Sequence, residues 1–393
     1  MALNTVSSDR LSTNVKNTNF TAAEKQDLTD DILPLAGQLG NRNLIINGAM
    51  QVAQRGTTST TQNAYTTVDR WKILSGGLDE GVTTAQSDIT SGLAYNDGFR
   101  KAYKVQNGNQ TSGAGASDYL VPIYRFESQD LANSGWDYVS SSSFITISFY
   151  VKSSVAQTFQ VQLYNGEPTQ ARQYVFEYSA TTSWTRITHT VPGGSGVEID
   201  NDNGGGFDLY FNLFHGTNST DNSYVNNQWN NYGGGNPQYK DNTSTWYTTN
   251  DATWEITGLQ VEVGSVATDF EHRSFADELR RCQRYYYVLG NGSDLADETI
   301  GNGRGWSSSQ MELTVEFPVV MRTTPSLVQS TGTNYYQWRN SGNERFTDSL
   351  LFATVTPRHG ILYKNSLSGL NTGEAYRVQL GGSAAYVHFN AEL

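Results

Sequence analysis

The stretch Phe144–Val151, FITISFYV, decides the fold class. Ile145, Ile147, Phe149 and Val151 fall on one side of an extended chain, and Thr146, Ser148 and Tyr150 on the other. A period of two is that of a β-strand with one face buried and one wet. The alternation recurs in TFQVQLY, where Phe159, Val161 and Leu163 alternate with Gln160 and Gln162, and in FDLYFNLF, where Phe207, Leu209, Phe211 and Leu213 share a face. Further strands are expected around 69–74, 99–106, 120–127, 172–178, 184–191 and 254–263, between clusters of Gly, Asn and Ser. About ten strands in roughly 230 residues, with no helices between them, predict an all-β fold, an antiparallel jelly-roll sandwich, and exclude a parallel α/β sheet.

Outward from this block the pattern changes twice. Upstream, residues 1–40 are polar until TAAEKQDLTDDILPL, where Thr21 and Glu24 have capping-box spacing and Pro34 marks a stop; a short helix is expected over about residues 22–33. Its apolar positions are too sparse to bury alone, so Ile32, Leu33 and Leu35 are the candidate docking residues of an attachment segment, with a frayed tail as the alternative. Downstream, SFADELRRCQRYYYVL offers an N-cap pairing of Ser274 with Asp277 and a stripe of Phe275, Leu279, Cys282 and Tyr286. MELTVEF, LLFATV, YRVQL and AYVHF then form a second strand set, broken by Pro318, Pro325 and Pro357. The expected organisation is a docking segment (1–40), the sandwich (41–272), a connecting amphipathic helix (273–289) and a smaller C-terminal β domain (290–393).

Composition bounds the function. The 393 residues carry 26 Lys plus Arg against 38 Asp plus Glu, a net charge of −12, which argues against nucleic-acid binding because phosphate neutralisation needs clustered cations. One Cys excludes a disulfide scaffold, and on the apolar helix stripe Cys282 reads as an inert buried thiol, with Arg280, Arg281 and Arg284 on the other side. The first twenty residues lack the pattern of a signal peptide, and no apolar run approaches the roughly 18 residues of a spanning helix, so neither export by a classical signal nor membrane insertion is expected.

Familiar catalytic and nucleotide motifs are absent, which points away from an enzyme and from any cofactor. The five His residues are dispersed, and His189 shares the parity of Ile187 and Val191, as a structural His would. The acid pairs Asp79–Glu80, Asp200–Asp202 and Asp294–Asp297 read as turn formers. The run DNDNGGG, Asp200–Gly206, offers a structural calcium loop but lacks a closing acid. Residues 201–250 hold twelve Asn and the aromatics Tyr224, Trp229, Tyr232, Tyr239, Trp246 and Tyr247. Rings beside amides are what a sugar needs, so these six are the candidate glycan-binding residues; packing against one another or against a second subunit is the open alternative.

NRNLIINGAMQVAQRG (41–56), DRW (69–71) and ITGLQVEVGSVATDFEHRSFADELRRCQRYYY (256–287) resemble the opening and close of a module found in tailed-bacteriophage tail fibres and related virion structural proteins; FPVVMRTTP (317–325) fits the later part. The resemblance spans about 41–330, the middle only in outline. It implies a jelly-roll akin to carbohydrate-binding modules, a homotrimer, a place on the tail or exposed surface of a virion made in the host cytoplasm, and other virion proteins as partners. The resulting expectation is a non-enzymatic tail fibre that docks by its N-terminus and touches host-surface polysaccharide through its β domains. An adaptor or decorating fibre binding only virion proteins is the first alternative, and a virion-borne glycan hydrolase or deacetylase working through Asp200 or Asp202 is the second.

Overall fold

The computed structural model describes residues 41–233, 237–341 and 343–393; Ile32, Leu33, Leu35 and the expected helix around them lie outside these. From Leu44 onward the chain forms one compact unit. Its first sheet contains, in spatial order, β1 (Thr58–Ser59), β3 (Thr83–Asp88), β4 (Lys101–Gln106), β13 (Thr253–Val263), β6 (Phe144–Ser153) and β9 (Thr185–Pro192). The second contains β2 (Trp71–Gly76), β5 (Tyr119–Glu127), β10 (Gly205–Asn212), β7 (Gln157–Asn165), β8 (Arg172–Ala180) and β12 (Trp229–Asn231), with β11 (Phe214–His215) also on β5. Neighbours distant in sequence, such as β13 between β4 and β6 and β10 between β5 and β7, give the crossovers of a jelly roll, and these pairings are antiparallel. The fold is the all-β sandwich that the alternation predicts.

The expected inward faces meet in one core. Ile145, Ile147, Phe149 and Val151 are at most 1 % exposed, and they join Phe159, Val161, Leu163, Phe207, Leu209, Phe211 and Leu213. The other faces depart from the expectation. Thr146 and Ser148 are buried, with Gly264 accepting the Thr146 hydroxyl at 2.8 Å. Gln160 and Gln162 are also buried, with the Lys240 carbonyl accepting Gln160 Nε2 at 2.9 Å. Long connections fold back over both sheets, so alternation reports which face meets the core but not which stays wet. Strand β3, TTAQSD, carries no apolar alternation and is held by pairing with β4.

A second core lies in the C-terminal part. It has a three-stranded sheet of β14 (Tyr286–Asn291), β23 (Tyr386–Asn390) and β17 (Ser326–Gln329). Beside it stands a seven-stranded sheet ordered β19 (Asn343–Thr347), β18 (Tyr336–Asn340), β22 (Ala375–Leu380), β15 (Thr299–Gly305), β16 (Met311–Glu316), β21 (His359–Lys364), β20 (Leu351–Ala353). The connecting helix covers only Phe275–Gln283, shorter than the expected 273–289. Ser274 caps it by accepting the Asp277 N–H at 3.2 Å. The following Tyr286 and Tyr287 leave the helix to pair with Asn390 and Phe389, as suits aromatic residues with a strand partner. Cys282 is fully buried, while Phe275 at the head of the stripe is 55 % exposed.

The parts are fastened by a buried ionic seam. Arg70, 1 % exposed and in the left-handed region at φ 73°, pairs with Glu392, lies 3.5 Å from the centre of the Tyr285 ring, and donates to the Arg125 carbonyl at 2.6 Å. Arg55 lies 3.6 Å over Tyr286 and 3.3 Å from Glu392. Asp69 accepts the Gln54 N–H at 2.9 Å, and the Asn47 amide bonds the Val52 and Asp69 carbonyls. Glu127 accepts from Arg284 and from the Tyr285 hydroxyl. Residues from all three stretches NRNLIINGAMQVAQRG, DRW and LRRCQRYYY therefore meet in this seam.

Two outcomes follow from this packing. Removing one partner of a buried ion pair strands the other, so Glu392→Ala lowers stability by about 3 kcal/mol or more in urea titration, and Glu392→Gln by less. Burial pushes His189 and His388 down to about 4 and His215 to about 3. These rings stay neutral in the folded chain and take up protons when it unfolds, so their contribution is present above about pH 6.5 and is lost as pH falls toward 4. Asp69, raised by burial to about 6, works the other way over part of that window. Asp130, Glu167 and Asp208, also raised by burial, act in the same sense as Asp69. The three rings begin to lose stability at about pH 6.5, so the melting temperature falls on acidification from about pH 7 to about pH 5; an unchanged or higher value contradicts this reading.

Candidate functional site

The six candidate aromatics do not form a solvent-facing platform. Trp246 and Tyr247 are fully buried in the sandwich core: the Trp246 Nε1 donates to the Thr253 carbonyl at 3.0 Å, and Tyr247 stacks on Phe214 at 4.1 Å while its hydroxyl donates to Asp118. Tyr239, 2 % exposed, stacks on His215 at 4.3 Å. Tyr224 packs with Val175 and accepts from Asn230. Trp229 is half-buried, stacked on Phe207 with its Nε1 on the Pro192 carbonyl at 2.8 Å. Tyr232 alone reaches an open region, edge-on to Tyr164 at 4.7 Å. The segment thus serves as a strap: Tyr239, Gln238 and Lys240 bond the outward-facing Gln162, Gln173 and Gln160 and seal that part of the second sheet. The correction has a simple cause, since large rings so close in sequence to core strands bury more apolar area inward than a ligand could cover.

The strap leaves one end of the outer face open. There Arg125 of β5, Asp208 of β10 and Tyr164 of β7 stand side by side in register, and Tyr210 follows two residues along β10. All four side chains point away from the core, because their neighbours Tyr124, Leu209, Leu163 and Phe211 fill it. Tyr164 and Tyr210 are half-buried and stacked, with centroids 5.9 Å apart. Arg125 Nε donates to Asp208 Oδ1 at 2.9 Å, and the Tyr210 hydroxyl donates to Asp208 Oδ2 at 2.9 Å.

A cleft of about 220 Å³ opens beside this row, lined also by Gly166, Gly205, Gly206 and Leu393. The pairing of β10 with β5 slips between Gly205 and Asp208, which swings the glycines out of line. Nothing lies within 4 Å of where a Cβ on Gly205 would stand, so any side chain there would project into free space. Burial raises the Asp208 carboxyl against the pull of Arg125, and burial with the charge of Asp208 raises the Tyr164 phenol. Both rings therefore stay neutral hydrogen-bonding groups. An opening of this size, with the Tyr164 ring on its wall and a fixed polar row beside it, suits one or two sugar units.

Other candidates carry less. A recess of about 260 Å³ on the first sheet borders Trp184, but Lys152 lies over that ring at 5.2 Å and is itself held by Glu255 at 2.9 Å. Asp202 accepts the Gly204 N–H at 2.7 Å and the Asp200 N–H donates to Glu167, which makes DNDNGGG a turn. Among the described residues no group of three or more His, Cys, Asp or Glu converges as a metal site would require. His189 stacks on Phe176 at 3.9 Å, a structural position. Arg284 meets Glu127 in the seam.

No family model matches the chain, and no curated protein does. Among solved structures the chain is similar to a candidate sugar-binding protein of Bacteroides thetaiotaomicron, at 12 % identity over 57 % of this chain and all of that one, TM-score 0.31. It is similar to a family 11 carbohydrate-binding module of Clostridium thermocellum solved with a mixed-linked tetrasaccharide, at 15 % identity over 54 % of this chain and 98 % of that one, TM-score 0.25. A third is the enzymatically active domain of tailspike protein 4 from bacteriophage CBA120, at 8 % identity over 56 % of this chain and 21 % of that one, TM-score 0.30. Overlays this loose say nothing about ligand or activity, and the sandwich rests on its own strand pairing.

The strap and the cleft separate by mutation. Trp246→Ala opens a core cavity and costs about 3–5 kcal/mol in denaturant titration. Tyr164→Ala, at a half-exposed ring, costs less than about 1.5 kcal/mol. Comparable losses would mean that Tyr164 belongs to the core as Trp246 does.

Proposed function

We propose that this protein is a non-enzymatic glycan-binding protein carried on a phage particle, a tail fibre in the leading reading, and that the cleft beside Tyr164 holds the sugar. The observation that carries the glycan reading is the stacked, half-open pair Tyr164 and Tyr210 beside the Arg125–Asp208 row. A pyranose presents an apolar face to such rings and a rim of hydroxyls to such polar groups. Tyr232 packs edge-on against Tyr164 and so supports that ring from outside the cleft lining. Gly205, which has nothing within 4 Å of where its Cβ would stand, leaves the approach clear. The place on a virion is supported by the resemblance of the three sequence blocks to tail-fibre modules, and the same resemblance supports a homotrimer.

The test is adsorption of the purified full-length chain to cells of a candidate host and to an array of microbial glycans. Saturable binding is expected, weakened about five- to thirty-fold by Tyr164→Ala, since one stacked ring contributes on the order of 1–2 kcal/mol. Gly205→Val fills the cleft and abolishes binding while shifting stability by less than about 1 kcal/mol. A folded protein that binds neither cells nor glycans, yet captures other virion proteins, is an adaptor instead. Release of reducing ends or acetate from a bound polysaccharide overturns the non-enzymatic reading. Light scattering checks assembly: a homotrimer has three times the chain mass of 43.4 kDa, and a monomer at micromolar concentration excludes it.

A further inference from the structure

Lys72 lies near the cleft but outside its lining and outside the row described above. It stands on β2 across from Ile123 of β5, and Ile123 stands across from Tyr210 of β10. Two strand spacings, about 10 Å, therefore separate Lys72 from Tyr210 on the same outer face. The side chain is half-buried and makes no ion pair among the described residues; its contact is the Tyr65 ring, 5.8 Å away. Burial lowers its pKa and the charge of Arg125 lowers it further, with Asp208 only partly offsetting both. A partly desolvated cation that shares its one opposing charge with a second cation is under-compensated, and an added anion would relieve it.

The one nearby carboxylate is already committed. Asp208 gives Oδ1 to Arg125 and Oδ2 to Tyr210, so its two oxygens are engaged inside the sheet. Two cations thus share one occupied anion, a local excess of positive charge in a chain whose net charge is −12. Arg125 lies two residues from Ile123 on the same face, so Lys72 and Arg125 flank the approach to Tyr210 from adjacent strands.

We infer that the cleft takes an acidic glycan, with the sugar ring lying along Tyr164 and a uronate carboxylate at Arg125 on the side that faces Lys72. The inference rests on the reading of the cleft as the glycan site. A neutral sugar would leave Lys72 unpaired, whereas a carboxylate would supply the missing charge-assisted bond.

The test uses the full chain and calorimetric titration with oligosaccharides of polygalacturonate, alginate and hyaluronate, each beside its carboxyl-reduced counterpart. At least one acidic form is expected to bind about ten-fold tighter than its reduced form, with the gap narrowing as salt rises toward about 0.5 M. Lys72→Gln is expected to remove most of that gap. It leaves no charge unpaired, so its melting temperature equals or exceeds that of the parent; this is why Lys72 is chosen over Arg125, whose loss would strand Asp208. Equal binding of acidic and reduced forms, or a gap untouched by Lys72→Gln, overturns the inference, and if that binding is lost in Gly205→Val the glycan site still stands. Absence of binding by every sugar of the panel overturns the acidic preference, and the glycan array decides separately whether the cleft reading falls with it.

Discussion

A guanidinium buried to 1 % exposure needs a counter-charge, and for Arg70 that counter-charge is Glu392, more than three hundred residues away in sequence. A lone buried charge costs several kcal/mol, so the folded state requires the last strand to be in place. Around this pair the chain gathers the Tyr285 ring, the Arg125 carbonyl, Arg55, Asp69 and Tyr286. The left-handed backbone at Arg70, an uncommon conformation for a residue with a side chain, turns the guanidinium toward this set. The seam thus fixes the orientation of the C-terminal sheets against the sandwich, because ion pairs and hydrogen bonds are directional.

That constraint reaches the cleft. Arg125, whose carbonyl receives Arg70, presents its own side chain to Asp208 on the opposite face of the strand. Leu393, adjoining Glu392, walls the cleft, and its carbonyl accepts the Tyr65 hydroxyl at 2.9 Å. The open end of the second sheet is therefore bounded by the sandwich on one side and by the end of the last strand on the other. The stretches 41–56, 69–71 and 256–287 supply much of this scaffold, and the residues of the cleft come from elsewhere in the chain.

Covering segments decide where the opening lies. The strap around Tyr239 seals the outer side of β7 and β8 with amide-to-carbonyl bonds, and the segment after β13 covers Thr146 of β6 through the Gly264 carbonyl and Glu262 of β13 through the Thr268 N–H. Amides suit this work because each offers both a donor and acceptors, so a polar face is buried without stranding its groups. The Asn and Gln richness of the chain thus serves packing as much as any ligand. Where the strap stops, Tyr164 and Tyr210 are left half-open and the glycines of β10 clear the space before them.

By itself the sequence determined the fold class, the inward faces of β6, β7 and β10, the helix cap at Ser274 and the buried Cys282, all of which follow from local periodicity and spacing. It marked Tyr232 as a site residue but not Tyr164, Tyr210, Arg125 or Asp208, which alternate along their strands like any outward-facing residue. It also extended the helix through Tyr286, because a stripe of apolar spacing does not reveal that a partner strand waits at Asn390. Only the tertiary structure decided which outward faces stay wet. Gln160 is buried by a segment 80 residues away, while Tyr164, four residues along the same strand, stays half-open. Such closure depends on where a distant loop lands, and no local period encodes that.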